Sequence, residues 1–478
     1  MAKNPAQRSP DPVLPVLLAI AALTAWRVAM LWADRTELST DEAQYWLWSR
    51  HLSWGEYSKP PLIGWLIAGA TSLLGDRVEA VRLPAALIHA GVALVLFALG
   101  RRIGDGRLAG IAALSYLTMP AVTLGSALMT TDTPMLLFLA LALLAQHSLA
   151  RQESIWVAVA LGLAVGAGIL SKHAMLYGVA GMALAAAVAP AWRICWRDLL
   201  IAAVVALVVV SPHLWWLAES RFVTVQHMAE SGSAKGVGIN PAGAITFLVE
   251  QFAVMGPLLF LAFWLGLLRP DHEPGRPVRG LAAAGLTVLA IVTAQALFSR
   301  ALANWAVGFT LPGCLVAAWW MRDRRGFAAA SLLIGLAVAL ALPLAARFGT
   351  AITLPDGRLA LSRYLGHDAF AADIRAAALR NNAGAVISGD RDILAALSWG
   401  LRDGLLPVNA APHAGAPRHH WDLKAPLSPG LTGPILLVTR NAPPPDCAQP
   451  VSTAPAGRGF LDGSTISLSL VDQDCARP

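Results

Sequence analysis

Charge is scarce in this sequence. Only 14% of its 478 residues are charged, against 56% that are hydrophobic. Soluble domains carry roughly 25% charged residues, so an ordinary soluble enzyme is excluded. Cysteine is nearly absent: four residues, with no Cys-x-x-Cys pair, which argues against a structural zinc site. The sequence has no P-loop, no dinucleotide fingerprint and no His-Glu-x-x-His motif. A soluble nucleotide-sugar donor therefore has no evident domain to bind it. The net charge of +7 is modest, and basic and aromatic residues do not interleave as in nucleic-acid binders.

What is present is repeated apolar sequence in runs of about 20 residues, the length of a bilayer crossing. The pattern predicts a mainly α, polytopic membrane protein with about eleven spans. They lie near 13–33, 79–100, 107–126, 133–150, 155–171, 174–190, 198–217, 243–268, 279–298, 304–321 and 326–345. The first is read as an uncleaved anchor rather than a signal peptide, being long and followed by no small-x-small cleavage site. Leu62 to Leu74 is too short to span and reads as an interfacial or re-entrant helix in a first outer loop of residues 34–78. The 41 glycines suit close helix packing in lipid.

Basic residues orient the chain. Lys3 and Arg8 fall on one side with Arg101, Arg102, Arg107, Arg151, Arg193, Arg197, Arg269, Arg276, Arg279, Arg322, Arg324 and Arg325. The other side, outside the first loop, has only Lys172, Arg221, Lys235 and Arg300. The positive-inside rule then places the N-terminus in the cytoplasm of a bacterial inner membrane and the C-terminal region in the periplasm. The first loop breaks this bias with Arg35, Arg50, Lys59, Arg77 and Arg82, as an anion-binding surface would.

Residues 1–345 form the expected membrane domain, and 346–478 a small periplasmic α/β domain resting over the first loop. Helical periodicity runs from Asp368 to Asn382 and from Arg391 to Arg402. Ala385 to Ser388 and Pro434 to Thr439 read as buried strands, with a Pro/His loop from Ala411 to Leu427 between them. Cys447 and Cys475 both fall in this polar region. A disulfide between them is expected if it faces an oxidising compartment; two free thiols are the alternative.

Candidate chemistry gathers at the outer ends of the spans. Asp41 and Glu42 open an aromatic helix containing Tyr45, Trp46 and Trp48. A carboxylate there can accept a proton or orient an acceptor, or it can simply cap the helix. Lys59 precedes Pro60 and Pro61, which bar helix at that point, and a held lysine beside a membrane can neutralise a phosphate. Asp132 lies in the Thr130-Thr131-Asp132-Thr133-Pro134 turn, where capping is again the alternative. Lys172 and His173 form a second candidate phosphate site. Arg82 and Arg300 lie near the same headgroup depth. His213 and the Asn304-Trp305 pair sit at further outer span ends, where aromatic belts and packing are the plain alternative.

These residues also carry a resemblance. The runs DEAQYWLWSRHLSWGEYSKPPLIGWL, TTDTP, SKHAMLYG, SPHLWWL and ANWA resemble the bacterial membrane glycosyltransferases with the GT-C fold. The group is similar to glycosyltransferase family 39, the protein-mannosyltransferase-like proteins, with the lipid A aminoarabinose and galacturonosyl transferases as more distant relatives. The resemblance implies a hexosyl- or pentosyltransferase using a polyprenyl-phosphate sugar donor. The acceptor would be a lipid or glycan of the cell envelope, such as lipopolysaccharide, or a protein. Transfer would occur at the outer face with inversion. It places the catalytic acids at Asp41 and Asp132, with Glu42 as a further candidate. Lys59, joined by Lys172, His173, Arg82 and Arg300, would bind the lipid phosphate. Tyr45, Trp48, His213, Asn304 and Trp305 are left for the sugar or acceptor. No cofactor is certain; a Mg²⁺ or Mn²⁺ ion on Asp41 and Asp132 stays open. Two rival readings remain: a flippase of lipid-linked sugars, which would use the same groove and cations without bond chemistry, and a non-catalytic envelope-assembly scaffold. A transporter would place its charges at mid-membrane, whereas these gather at one face.

Overall fold

The computed structural model describes residues 13–224, 238–268, 277–428, 431 and 433–476. Lys3, Arg8, Lys235, Arg269 and Arg276 lie outside them. By internal contacts the chain forms two units. One comprises residues up to Trp32, Lys59–Ile63 and Arg82–Pro343. The other comprises Ala33–Ser58, Gly64–Val81 and Leu344–Pro478.

The first unit is helical. Among the described residues, six helices are long and apolar enough to cross a membrane: α1 (Val13–Ala33), α4 (Val78–Ile103), α7 (Asp132–Leu149), α10 (Trp196–Glu219), α13 (Pro277–Phe298) and α15 (Arg325–Arg347). Their first and last residues carry α1, α4 and α15 across the unit boundaries. Between these lie α5 (Gly106–Thr118) and α6 (Pro120–Ala127), then α8 (Ile155–Ser171) and α9 (Met175–Val188). Further on are α11 (Pro241–Met255), α12 (Pro257–Leu267) and α14 (Thr310–Met321).

Every expected span falls on helix, but not every span is one straight helix. The 107–126 segment breaks between α5 and α6 with a 55° bend. The 243–268 segment turns through 112° between α11 and α12, at Gly256-Pro257, where Gly256 has φ 93°. A proline cannot donate into the preceding turn, and a positive φ favours glycine. The 304–321 segment begins as a 3₁₀ stretch, Ala303–Phe309, before α14.

Helices approach closely where glycine removes a side chain. A Cβ on Gly162 would lie 2.5 Å from the Ala202 carbonyl oxygen, which fixes α8 against α10. One on Gly181 would lie 2.6 Å from the Ala284 oxygen, which fixes α9 against α13. Without a hydrophobic driving force between lipid-immersed helices, such backbone contact is a main source of packing energy.

The second unit combines first-loop helices with the C-terminal segment. Here α2 (Thr40–Arg50) begins with a capping box in which the Ser39 hydroxyl accepts from the Glu42 amide and the Glu42 carboxylate accepts from the Ser39 amide. The short apolar α3 (Leu62–Leu74) follows the proline pair. The C-terminal segment supplies α16 (His367–Arg380), α17 (Arg391–Gly400) and α18 (His420–Lys424). Its strands are β1 (Ala385–Ser388), β2 (Val408–Ala410), β3 (Ile435–Arg440), β4 (Gln449–Pro455) and β5 (Thr465–Val471). They form one mixed sheet in the order β2-β1-β3-β5-β4, parallel from β2 to β3 and antiparallel beyond.

Alternation sorts the two sheet faces. Val386, Leu436 and Val438 pack with Ile374, Ile393 and Leu397. Ala385, Ile387, Ile435 and Leu437 form a second cluster with Val471. Beyond this core, Cys447 and Cys475 are disulfide-bonded. The first loop is tied in by Trp46, whose ring meets Trp399 edge-on at 5.0 Å, and by the Thr40 hydroxyl, which donates to Asp392 at 2.8 Å.

A buried acid, Glu56, sits in this unit beside α18. It accepts from the Ser53 hydroxyl at 2.8 Å and lies 3.8 Å from His420 Nδ1. Burial first of all raises its pKa from 4.5 to about 7, and burial pushes His420 down to about 3. The two act oppositely on stability. His420 contributes stability that is lost as pH falls below 6.5. Glu56 is bound to its proton more tightly folded than unfolded, so its contribution is lost as pH rises from 4.5 through 7.

Two predictions follow from this packing. Gly162→Ala and Gly181→Ala should each destabilise the detergent-solubilised protein by about 1–3 kcal/mol. Gly69→Ala, where a Cβ meets nothing within 4 Å, should not; thermal unfolding of the three variants checks this. Glu56→Gln removes the ionisation cost, on the order of 3 kcal/mol. Hydrogen exchange over residues 411–424 should therefore be slower in the variant than in the wild type at pH 8, and the difference should vanish below about pH 4.5.

Candidate functional site

Within the helical unit, three distant segments meet on Asp132. This residue opens α7, where an acid is favoured by the helix dipole. Its Oδ1 accepts from Lys172 Nζ at 2.7 Å, and its Oδ2 accepts from the Asn304 amide at 3.1 Å. The Lys172 and Asp132 side chains are only 15% and 14% exposed, so neither charge is well solvated and each needs the other. Lys172 follows the last turn of α8, and Asn304 belongs to the 3₁₀ stretch that leads into α14.

Next to this pair, the ring nitrogens of His173 and His213 are 3.1 Å apart, and His213 stacks on Trp216. Burial, then the neighbouring His213 and the Lys59 ammonium, hold His173 down to about 4, so it is neutral at pH 7. The influence of Lys59 on His173 brings the lysine before the proline pair to the same neighbourhood as Lys172. Both imidazoles line an apolar groove of about 350 Å³ with Ile169, Leu176, Val210 and Leu217. An apolar groove with ammonium groups beside it can hold an acyl or isoprenoid chain and its anionic head. Of the other expected cations, Arg82 is fully buried and Arg300 is exposed. Trp305 is half-buried in the 3₁₀ stretch.

Asp41 belongs to the second unit. Its Oδ1 accepts from Arg391 Nη2 at 2.5 Å, and Arg363 Nη2 is 3.6 Å from its Oδ2. The Arg391 Nε donates to Gln44 at 2.8 Å, one turn along α2 from Asp41. Asp41 is 44% exposed and so open to a substrate. Glu42, beside it, is buried and spends its carboxylate on the capping box. Tyr45 and Trp48 are buried as well, their rings 5.0 Å apart, with Trp48 also against His420. Arg391, Arg363 and Gln44 were not singled out from the sequence: nothing local distinguishes two arginines more than 300 residues from the acid they meet.

Among the described residues, no group of three or more His, Cys, Asp and Glu side chains is arranged to hold a metal ion. Asp132 faces an ammonium and an amide, and Asp41 faces two guanidiniums. Divalent ions of the Mg²⁺ or Mn²⁺ kind need several oxygen ligands at once. The donor set around neither acid fits one.

Comparison with known proteins bears on the whole chain. Residues 58–216 match the family model described as dolichyl-phosphate-mannose-protein mannosyltransferase. The chain is 34% identical over 475 residues to the lipid A galacturonosyltransferase RgtD of Rhizobium johnstonii, covering 97% of this chain and 99% of that protein. It is 30% identical over 240 residues to the lipopolysaccharide core galacturonosyltransferase RgtA of the same organism, covering 47% of each. Among solved structures it resembles ArnT from Cupriavidus metallidurans bound to undecaprenyl phosphate, with a TM-score of 0.69 at 16% identity over 98% of this chain and 100% of that one. The apo form of ArnT matches with a TM-score of 0.68 at 15% identity, covering 97% and 99%. The fold is thus that of a polytopic GT-C enzyme, and the RgtD match runs from end to end. The chain belongs to the GT-C membrane glycosyltransferases, in the family of the lipid A galacturonosyltransferase RgtD.

Proposed function

We propose that the protein transfers a galacturonosyl group from a polyprenyl-phosphate carrier to a lipid A-type acceptor. The single observation that carries this reading is the 34% identity with RgtD over 97% of the chain. It supports a hexuronosyl rather than a pentosyl unit as the transferred group. Membership of a glycosyltransferase family favours transfer over the flippase and scaffold readings. The excess of arginines in alternate loops supports a cytoplasmic N-terminus in a bacterial inner membrane, with transfer at the periplasmic face.

In this reading, the groove beside His173 and His213 takes the first isoprene units of the carrier. Lys59 and Lys172 offset the charge of the carrier phosphate. That charge grows as the glycosidic bond breaks, so fixed cations there stabilise the transition state more than the ground state. Neutral His173 can donate one N–H. An acceptor oxygen attacks the anomeric carbon from the opposite side, and the carrier phosphate leaves with the bonding pair. A hydroxyl acceptor gives its proton to a carboxylate, for which Asp41 and Asp132 are the candidates. A phosphate oxygen as acceptor needs no base, and the acids would then orient it.

The test is reconstitution of the purified protein in nanodiscs with polyprenyl-phosphate galacturonate and lipid A. Mass spectrometry should find the acceptor heavier by one hexuronic acid. Asp41→Asn and Lys59→Ala should each slow transfer by roughly a hundredfold or more while the protein still folds and inserts. Full transfer by Asp41→Asn would remove its catalytic role, and a wild-type protein inert with this donor would sink the function.

A further inference from the structure

In the helical unit, the Asp132 carboxylate is held at both of its oxygens. Lys172 Nζ donates to Oδ1 and the Asn304 amide to Oδ2. Donors on separate oxygens fix the plane of the carboxylate, which a single donor would leave free to turn about its bond to Cβ. Lys172 is largely hidden from solvent, but Asn304 is exposed. Asn304 also stands near the start of the 3₁₀ stretch Ala303–Phe309. Hydrogen-bond geometry in a 3₁₀ turn is poor and the ends of such elements fray, so an exposed donor there needs its backbone held by other means.

We infer that Gln251 supplies this hold and is a positioning residue for sugar transfer, acting on Asp132 through Ala303 and Asn304. The inference rests on the function proposed above, in which Asp132 serves the acceptor. Gln251 lies in the last part of α11 and is fully buried. Its amide nitrogen donates to the Phe247 carbonyl at 3.0 Å, one turn back in its own helix, and to the Ala303 carbonyl at 3.1 Å. Both partners are carbonyls, so the amide cannot be turned over without setting oxygen against oxygen. The first bond fixes the side chain on α11. The second ties to α11 the residue that immediately precedes Asn304. The turn is closed by the Trp305 amide, which donates to the Leu302 carbonyl at 2.9 Å. The anchor point and the donor to Asp132 are thus neighbours in one short turn.

The choice of glutamine is costly here, which points to a use for its amide. Gln251 Oε1 is buried and accepts from nothing among the described residues. The surrounding helix is apolar, with Phe247, Val254 and Met255 buried beside it. A methionine would fill the same space with no unsatisfied oxygen. It could not donate to Ala303.

The test uses the purified protein in nanodiscs with polyprenyl-phosphate galacturonate and lipid A. Asn304→Ala should lower kcat by roughly ten- to a hundredfold, the size of a hydrogen bond to a charged group, while KM for both substrates stays close to that of the wild type. Gln251→Met should lower kcat by roughly three- to tenfold, the size of a neutral hydrogen bond. The double variant decides. Because Gln251 acts through Asn304, adding Gln251→Met to Asn304→Ala should change kcat by less than about twofold. A plain loss of folded protein would multiply the two effects, and that result overturns the inference. So does wild-type kcat in Gln251→Met, in Asn304→Ala or in Asp132→Asn. Gln251→Leu takes its place in the cycle if Gln251→Met fails to fold. A wild type inert with this donor overturns the function itself.

Discussion

The ion pair between Lys172 and Asp132 is the constraint on which the helical unit's chemistry depends. In a chain so poor in charge, an ammonium and a carboxylate that are each mostly hidden from water are costly unless they meet. Their meeting joins the start of α7 to the end of α8, and the Asn304 amide on the same carboxylate adds the approach to α14. The apolar groove takes lining residues from both sides of Lys172, Ile169 before it and His173 after it, with His213 from α10. In the proposed function, the turn that carries Lys172 and His173 thus links the charge for a lipid head to the surface for its chain.

The second unit repeats the principle with different chemistry. Asp41 is also met by cations from far along the chain, but they are arginines and the group is open to solvent. An exposed pair contributes little to stability. The two acids expected to act in catalysis are therefore set in unlike surroundings.

Much of this was legible in the sequence, for physical reasons that differ by element. Long apolar runs read clearly because lipid demands them, and Ala385 to Ser388 reads as a strand because all four residues are buried. The 112° turn was marked by Gly256-Pro257, yet the apolar run across it hides the break. Strand β4 carries prolines at 450 and 455, which an edge strand tolerates but which erase the strand signal. Strand β2 is three residues long, paired with β1 and, at Ala410, by one bridge to Pro426. At the site, the sequence placed Asp41, Lys59, Asp132, Lys172 and His173 at helix ends. It could not pair Asp132 with Asn304 or Asp41 with Arg391, because those contacts exist only in the tertiary fold. Nor could it show that Tyr45 and Trp48, aromatic and apparently interfacial, turn inward to pack.

The central claim is that this chain adds a uronic acid to an envelope lipid. Mass spectrometry of lipid A from cells lacking the gene, set against the wild type and a complemented strain, addresses it most directly. The account predicts lipid A lighter by one hexuronic acid in the deletion strain, restored by the wild-type gene and not by one encoding Asp41→Asn. Lipid A identical in the deletion and wild-type strains would contradict it.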